Sequence, residues 1–242
     1  MDGPLQIFVI IGVLAIALVC GYFAWKAEQK RRQELSLLAA ELGFDFSPHR
    51  DRRHDDEYAH FEIFRKGHSR SAFNTMRGTV EIDGNRYRVK MGDFTYKVTS
   101  GSGKSRSTRT YHFSYIILHL PFLDVPSLLI RPEGLFDKLA GAFGFDDIDF
   151  ESSEFSKRFH VKSSDKRFAY DVITPRMMTF LLESMPATVD IEHSRCMLSD
   201  GRKRWKPAQF RAMLDWVVTF LDQWPDHVQS ELGRTGSPAS SR

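Results

Sequence analysis

The chain has 242 residues, 42% of them hydrophobic, and carries 34 Lys and Arg against 31 Asp and Glu, a formal net charge of +3. That near-balance excludes the strongly basic composition of a nucleic-acid binder, and no nucleic-acid partner is expected. The two cysteines, Cys20 and Cys196, exclude a disulfide framework and fit a reducing compartment.

Residues 5–25, LQIFVIIGVLAIALVCGYFAW, contain no charge and one strongly polar residue, Gln6. Roughly twenty such residues at about 1.5 Å each cross a bilayer core of about 30 Å, which predicts one transmembrane helix. A cleaved signal peptide needs a positive leading region, whereas only Met1, Asp2, Gly3 and Pro4 precede this run. Lys26, Lys30, Arg31 and Arg32 crowd its C-terminal flank. By the positive-inside rule the N-terminus lies outside and the body of the protein in the cytoplasm. Tyr22, Phe23 and Trp25 fall at the inner headgroup level.

Residues 26–43 continue as a helical stalk. Leu35, Leu38, Ala39 and Leu42 form one apolar stripe, and Gly43 supplies a stop. Residues 44–228 are expected to form a cytoplasmic α+β domain, with a candidate subdivision near 150. Residues 229–242 are expected to be a disordered tail. Within the domain, residues 48–58 (PHRDRRHDDEY) read as a polar loop, and residues 59–64 (AHFEIF) as a strand. Asp83-Gly84-Asn85 marks a hairpin, with Val80, Ile82, Tyr87 and Val89 on one face. Residues 99–110 (TSGSGKSRSTRT) read as an exposed basic loop before the strongest strand, YHFSYIILHL. SLLIRPE reads as a strand and EGLFDKLAGAFG as a short helix. The acidic stretch after it, with Asp146, Asp147, Asp149, Glu151 and Glu154, places Ile148, Phe150 and Phe155 in the core.

The C-terminal part has a repeated rhythm. Residues 158–161 and 167–173 are predicted strands followed by a helix opened by Thr174-Pro175. Residues 189–192 and 195–198 repeat the strand pair, and Lys206-Pro207 opens a second helix. The fold class is therefore α+β: a transmembrane helix and stalk, then mostly antiparallel strands, with C-terminal helices in two tandem β-β-α units.

RRQELSLLAAELGFDF behind a lone transmembrane helix, FEIFRKGHSRSAFN, PSLLIRPEG and DIDFESSEFSKRFHVKSSDKRFAYDVITPRMM resemble an uncharacterised family of single-pass bacterial membrane proteins with a cytoplasmic domain of unknown function. The resemblance implies a bacterial inner-membrane location and brings no activity or catalytic residue.

No motif carries a reaction. GSGKS lacks the glycine that a phosphate loop requires, since Val98 stands in its place. His49, His54 and His60 with their acidic neighbours match no metal-ligand spacing. Cys196 and His193 fall on opposite faces of a strand. No catalytic residue, cofactor or metal ligand is expected. Lys104, Arg106 and Arg109 are candidate contacts for anionic lipid or an acidic partner. The expected function is a membrane-anchored binding or scaffolding module. The alternative is an enzyme acting on lipid or phosphorylated substrates through the basic loop and the acidic stretch.

Overall fold

The computed structural model describes residues 3–133 and 147–235. Its first element, α1 (Gly3–Leu42), is a single 40-residue helix in which the apolar run and the stalk are continuous. Neither proline nor glycine interrupts the junction at residues 22–42, so nothing in the chain forces a kink there. Gly43 ends it at φ +69°, and the N–H groups of Gly43 and Phe44 bond back to the carbonyls of Ala40 and Ala39. That bond pattern is a Schellman stop, and it needs a left-handed residue where Gly43 stands.

After α1 come β1 (Asp45–Ser47), α2 (His54–Glu57), α3 (Glu62–Arg65), β2 (His68–Ile82), β3 (Asn85–Ser100), β4 (Ser107–His119) and β5 (Leu128–Pro132). Beyond residue 147 follow α4 (Ser153–Arg158), β6 (Phe159–Ser163), α5 (Lys166–Val172), α6 (Pro175–Ser184), β7 (Thr188–Glu192), β8 (Arg195–Ser199), α7 (Pro207–Asp222) and α8 (Asp226–Thr235). The strands form one eight-stranded sheet in the order β1-β2-β3-β4-β8-β7-β5-β6, and every neighbouring pair is antiparallel. The expected α+β class, with an N-terminal apolar helix, antiparallel strands and C-terminal helices, is the observed one.

The sheet is covered on two faces, and strand alternation sorts the residues between them. Ile116 and Leu118 of β4 join the larger core, with Leu35, Leu38 and Ala39 of α1 and with Phe210, Leu214, Val217 and Phe220 of α7. Phe113, Tyr115 and Ile117 turn to the other face, where Tyr58, Phe61 and Phe64 cover them. Burial from both sides explains why β4 reads as a near-continuous apolar run. The β2–β3 hairpin turns at Asp83 and Gly84 with φ of 46° and 72°, and Ile82 pairs with Asn85. Two consecutive left-handed residues are what a two-residue hairpin of this twist demands.

Four expectations need correction. Residues 167–172 lie in helix α5 instead of a strand: Asp165 caps it by accepting from the Arg167 and Phe168 amides, and Phe168, Ala169 and Val172 bury one helical face. The first of the two units is therefore β-α-α, and only the second is β-β-α. Residues 59–64 are not a strand, since residues 62–64 begin helix α3. Residues 48–58 are not wholly a solvated loop: α2 lies within them, with His54 and Tyr58 fully buried. His54, Tyr58, Phe61 and Phe64 recur at intervals of four, three and three, which is helical spacing. Finally, residues 229–235 of the expected tail belong to α8. The short helix expected in EGLFDKLAGAFG, and Asp146, lie outside the described residues.

Candidate functional site

The strongest polar construction in the domain joins α1 to the sheet. Asp93 on β3 is fully buried. Arg31 of the stalk donates to both of its oxygens, from Nε at 2.9 Å and from Nη2 at 2.7 Å. Arg204, in the segment between β8 and α7, donates to Oδ2 from Nε at 3.1 Å and Nη2 at 2.9 Å. The Ser114 hydroxyl on β4 donates to Oδ1 at 2.7 Å, and the Asn74 amide on β2 to Oδ2 at 3.1 Å. Glu28, one turn earlier on α1, accepts from Arg204 and Asn74 at 2.9 and 3.0 Å. Burial alone would raise the Asp93 carboxyl. The hydrogen bond and charge of Arg31, with the charge of Arg204 and the Ser114 hydroxyl, outweigh it and hold the group below its ordinary value.

Local backbone geometry aims these groups. A bulge between Phe73 and Met76 puts Asn74 at φ 50°, turning its amide toward Asp93. Gly92 lies opposite: a Cβ there would sit 3.0 Å from the Asn74 carbonyl oxygen and 3.1 Å from that of Phe73. The glycine thus permits the close approach of β2 on which the clamp depends.

The three sequence-nominated cations occur together at the far end of the β3–β4 pair. Lys104 lies in a single 3-10 turn (Gly103–Ser105), Arg106 follows it, and Arg109 on β4 pairs with Val98 on β3. Arg106 and Arg109 are exposed. Strand β4 follows GSGKS directly, so there is no helix N-terminus to receive a phosphate. The acidic stretch lies beside β6, whose Val161 carbonyl accepts from the Ile148 amide. Strand β6 is four strands from β4 in the sheet, about 19 Å at roughly 4.8 Å per strand. The basic loop and the acidic stretch therefore do not meet in one site.

Other polar groups are spread rather than convergent. An open groove of about 400 Å³ is lined by Glu57, Tyr58, Arg77, Arg88, Lys90 and His119 among others. Its buried Lys90 is already paired with Glu57 at 2.7 Å and Asp51 at 3.4 Å. Burial, with the charges of Arg88 and Arg195, pushes His119 down to about 4. A small cavity of about 40 Å³ on the α3 face is lined by Glu62, Thr188, Asp190, Met197 and Ser199 among others. Asp190 Oδ1 and Thr188 Oγ1 find no hydrogen-bond partner there. Burial, then the charges of Glu192 and Glu62, raises the Asp190 carboxyl well above its ordinary value and so favours its protonated form. Cys196 is buried in the larger core, and burial pushes its thiol up, which removes it as a nucleophile. Among the described residues no group of three or more His, Cys, Asp or Glu is arranged to hold a metal ion.

No family model and no curated protein matches the chain. A solved structure does. The crystal structure of the mycobacterial trehalose monomycolate transport factor A, TtfA, aligns over 87% of this chain and 98% of that chain, with a TM-score of 0.51 and 15% sequence identity. The two share a fold. At this identity the likeness to TtfA extends to architecture alone.

Sequence reasoning missed the clamp entirely. Asp93 sits in MGDF, where only its apolar sequence neighbours hint at a buried partner. The partners Arg31 and Arg204 are 62 and 111 positions away.

Proposed function

We propose that the chain is a single-pass membrane protein of bacterial type whose α+β domain is a binding or scaffolding module held at the cytoplasmic face of the inner membrane. The observation that carries this reading is the division of labour along one helix. Within the 35 residues Phe8–Leu42 of α1, an apolar window of mean hydropathy 2.5 has no buried side chain, while Glu28, Arg31, Leu35 and Leu38 are built into the domain. A span with nothing to pack against in the protein is suited to lipid. The basic flank supports an inward-facing domain, and the exposed Tyr22, Phe23 and Trp25 suit a membrane interface.

The resemblance of the chain to an uncharacterised family of single-pass bacterial membrane proteins belongs to the same reading. So does the fold shared with the trehalose monomycolate transport factor TtfA, which favours a lipid-related binding role over catalysis. The groove at Lys90 supports it as well, because it is open and Lys90 is paired with Glu57.

Two measurements on the full chain test this. After an alkaline wash the protein should remain in the membrane pellet, and release would remove the anchor. Proximity labelling from a tag after Arg242 should mark a reproducible set of membrane neighbours. A set identical to that of an unrelated single-pass protein would remove the scaffolding role.

A further inference from the structure

The β3–β4 ribbon and the apolar part of α1 leave the clamp in the same direction. Phe44, just past α1, packs on Gly78, which pairs with Val89 on β3. Going back along α1 to Arg31 advances the contact along β3 to Asp93. Beyond that point, β3 continues for seven residues to Ser100, about 23 Å at roughly 3.3 Å per residue. Over the same side, α1 needs only about 9 Å, at 1.5 Å per residue, to pass from Arg31 to Trp25. A strand inclined to the helix by as much as about 60° therefore still brings its tip to the level of Trp25.

The chemistry of this tip suits a negatively charged surface. Between Asp93 and Asp124 the sequence has no acidic residue and carries Lys97, Lys104, Arg106 and Arg109. Tyr111 is 40% exposed and stacks on Tyr96, and Val98, opposite Arg109, is 38% exposed. An aromatic ring, an aliphatic side chain and an arginine on one strand face are what an interfacial segment presents to headgroups. The tip is also shaped rather than slack. Gly101 lies at φ +81°, and the Ser105 amide and hydroxyl both donate to the Ser102 carbonyl, at 3.2 and 2.9 Å.

We propose that the β3–β4 ribbon docks on the anionic leaflet of the same membrane that α1 spans, so that anchor and ribbon hold the domain at two points. The proposal rests on the reading of α1 as the anchor. Docking is intramolecular once α1 is inserted, so weak headgroup contacts suffice to fix the orientation. Each cation near an anionic surface contributes about a five-fold preference, and salt screens it.

The test uses the full chain with Cys20→Ser and Ser102→Cys, spin-labelled at the tip; Cys196 is buried. Nanodiscs contain phosphatidylcholine alone or an equal mixture with phosphatidylglycerol. In the mixed lipid, the label should become accessible to oxygen and shielded from a water-soluble nickel chelate. Lys104→Ala, Arg106→Ala and Arg109→Ala together should reduce the docked-to-free ratio by up to about a hundred-fold, and so should high salt. A label at Asp83→Cys, in the turn at the opposite end of β2 and β3, should stay aqueous throughout. Failure of the chain to enter nanodiscs would overturn the anchor and the ribbon together. Insertion with an aqueous tip in both lipids would overturn the ribbon alone. Equal docking in both lipids, or docking unmoved by the triple substitution, would overturn recognition of anionic lipid.

Discussion

Arg31 of the stalk donates to both carboxylate oxygens of Asp93, at 2.9 and 2.7 Å, and so fastens the helix that carries the apolar span to the centre of the sheet. The Asp93 side chain is wholly buried and Arg31 is nearly so, at 0% and 16% exposure. Water has no access to Asp93 there.

Replacing Asp93 by Ala removes the carboxylate partner of Arg31 and leaves Arg204 with Glu28 alone. Removing one partner of a buried pair costs about 3–5 kcal/mol, because the remaining charge is left uncompensated. Denaturant unfolding of the full chain in detergent should show a loss of that order. Trypsin should also cut faster at Lys26, Lys30 and Arg31, since the stalk would fray from the sheet. Cleavage at the wild-type rate would mean that the stalk is held by its apolar stripe alone.

His54 gives the fold an acid-sensitive point. Its ring is enclosed by Phe64, Tyr115, Tyr58 and Phe94, with centroids at 4.5, 4.6, 4.8 and 5.6 Å. Burial, reinforced by Lys90 and Arg77, holds its pKa well below the ordinary value of 6.5. The unfolded chain therefore takes up a proton that the folded chain refuses. Stability is fully present above about pH 6.5 and falls as the pH drops below it. His60 and His119, both pushed down to about 4, act in the same sense between those limits. His54→Phe keeps an apolar ring and cannot protonate, so its Tm should fall less steeply on acidification. Parallel Tm profiles for the two proteins would contradict this.

Asp190 works in the opposite sense. Folding favours its protonated form through burial and the nearby Glu192 and Glu62, whereas the unfolded chain ionises it above about pH 4. The folded state binds more protons, so this contribution is present at low pH and is lost as the pH rises. Glu192, raised to about 7 by burial and Glu62, adds to the loss between its ordinary value of about 4.5 and neutrality. Asn at position 190 resembles the protonated acid and cannot ionise. Asp190→Asn should therefore gain Tm relative to the wild type increasingly from acid to mildly alkaline pH. A constant difference across the range would show that Asp190 is ionised in the fold.

The parts of this structure that the sequence discloses are those decided by neighbouring residues. Gly43 marks the end of α1, Asp83-Gly84 the β2–β3 turn and Thr174-Pro175 the start of α6, each through a backbone requirement local to the residue. The Thr174 side chain accepts from the Met177 amide, as its N-cap position requires. The β7–β8 turn shows the limit of such signals. His193 and Ser194 take φ of 48° and 56° without glycine, held by bonds from the Leu120 amide to the Ser194 carbonyl and from the Ser194 hydroxyl to the Leu123 carbonyl. Residues 167–173 mislead because Phe, Tyr, Val and Ile favour strands, while the Asp165 cap and the burial of Phe168 and Val172 favour helix. The Asp93 clamp escapes altogether, since tertiary folding alone brings its members together.

The most direct test of the central claim is a topology reporter fused after Arg242 in the full chain, expressed in a bacterium. A domain anchored by α1 at the cytoplasmic face predicts full activity from a reporter that works only in the cytoplasm and none from one that works only after export. Activity of the exported reporter at that position would contradict the orientation. It would also place the β3–β4 ribbon against the wrong leaflet.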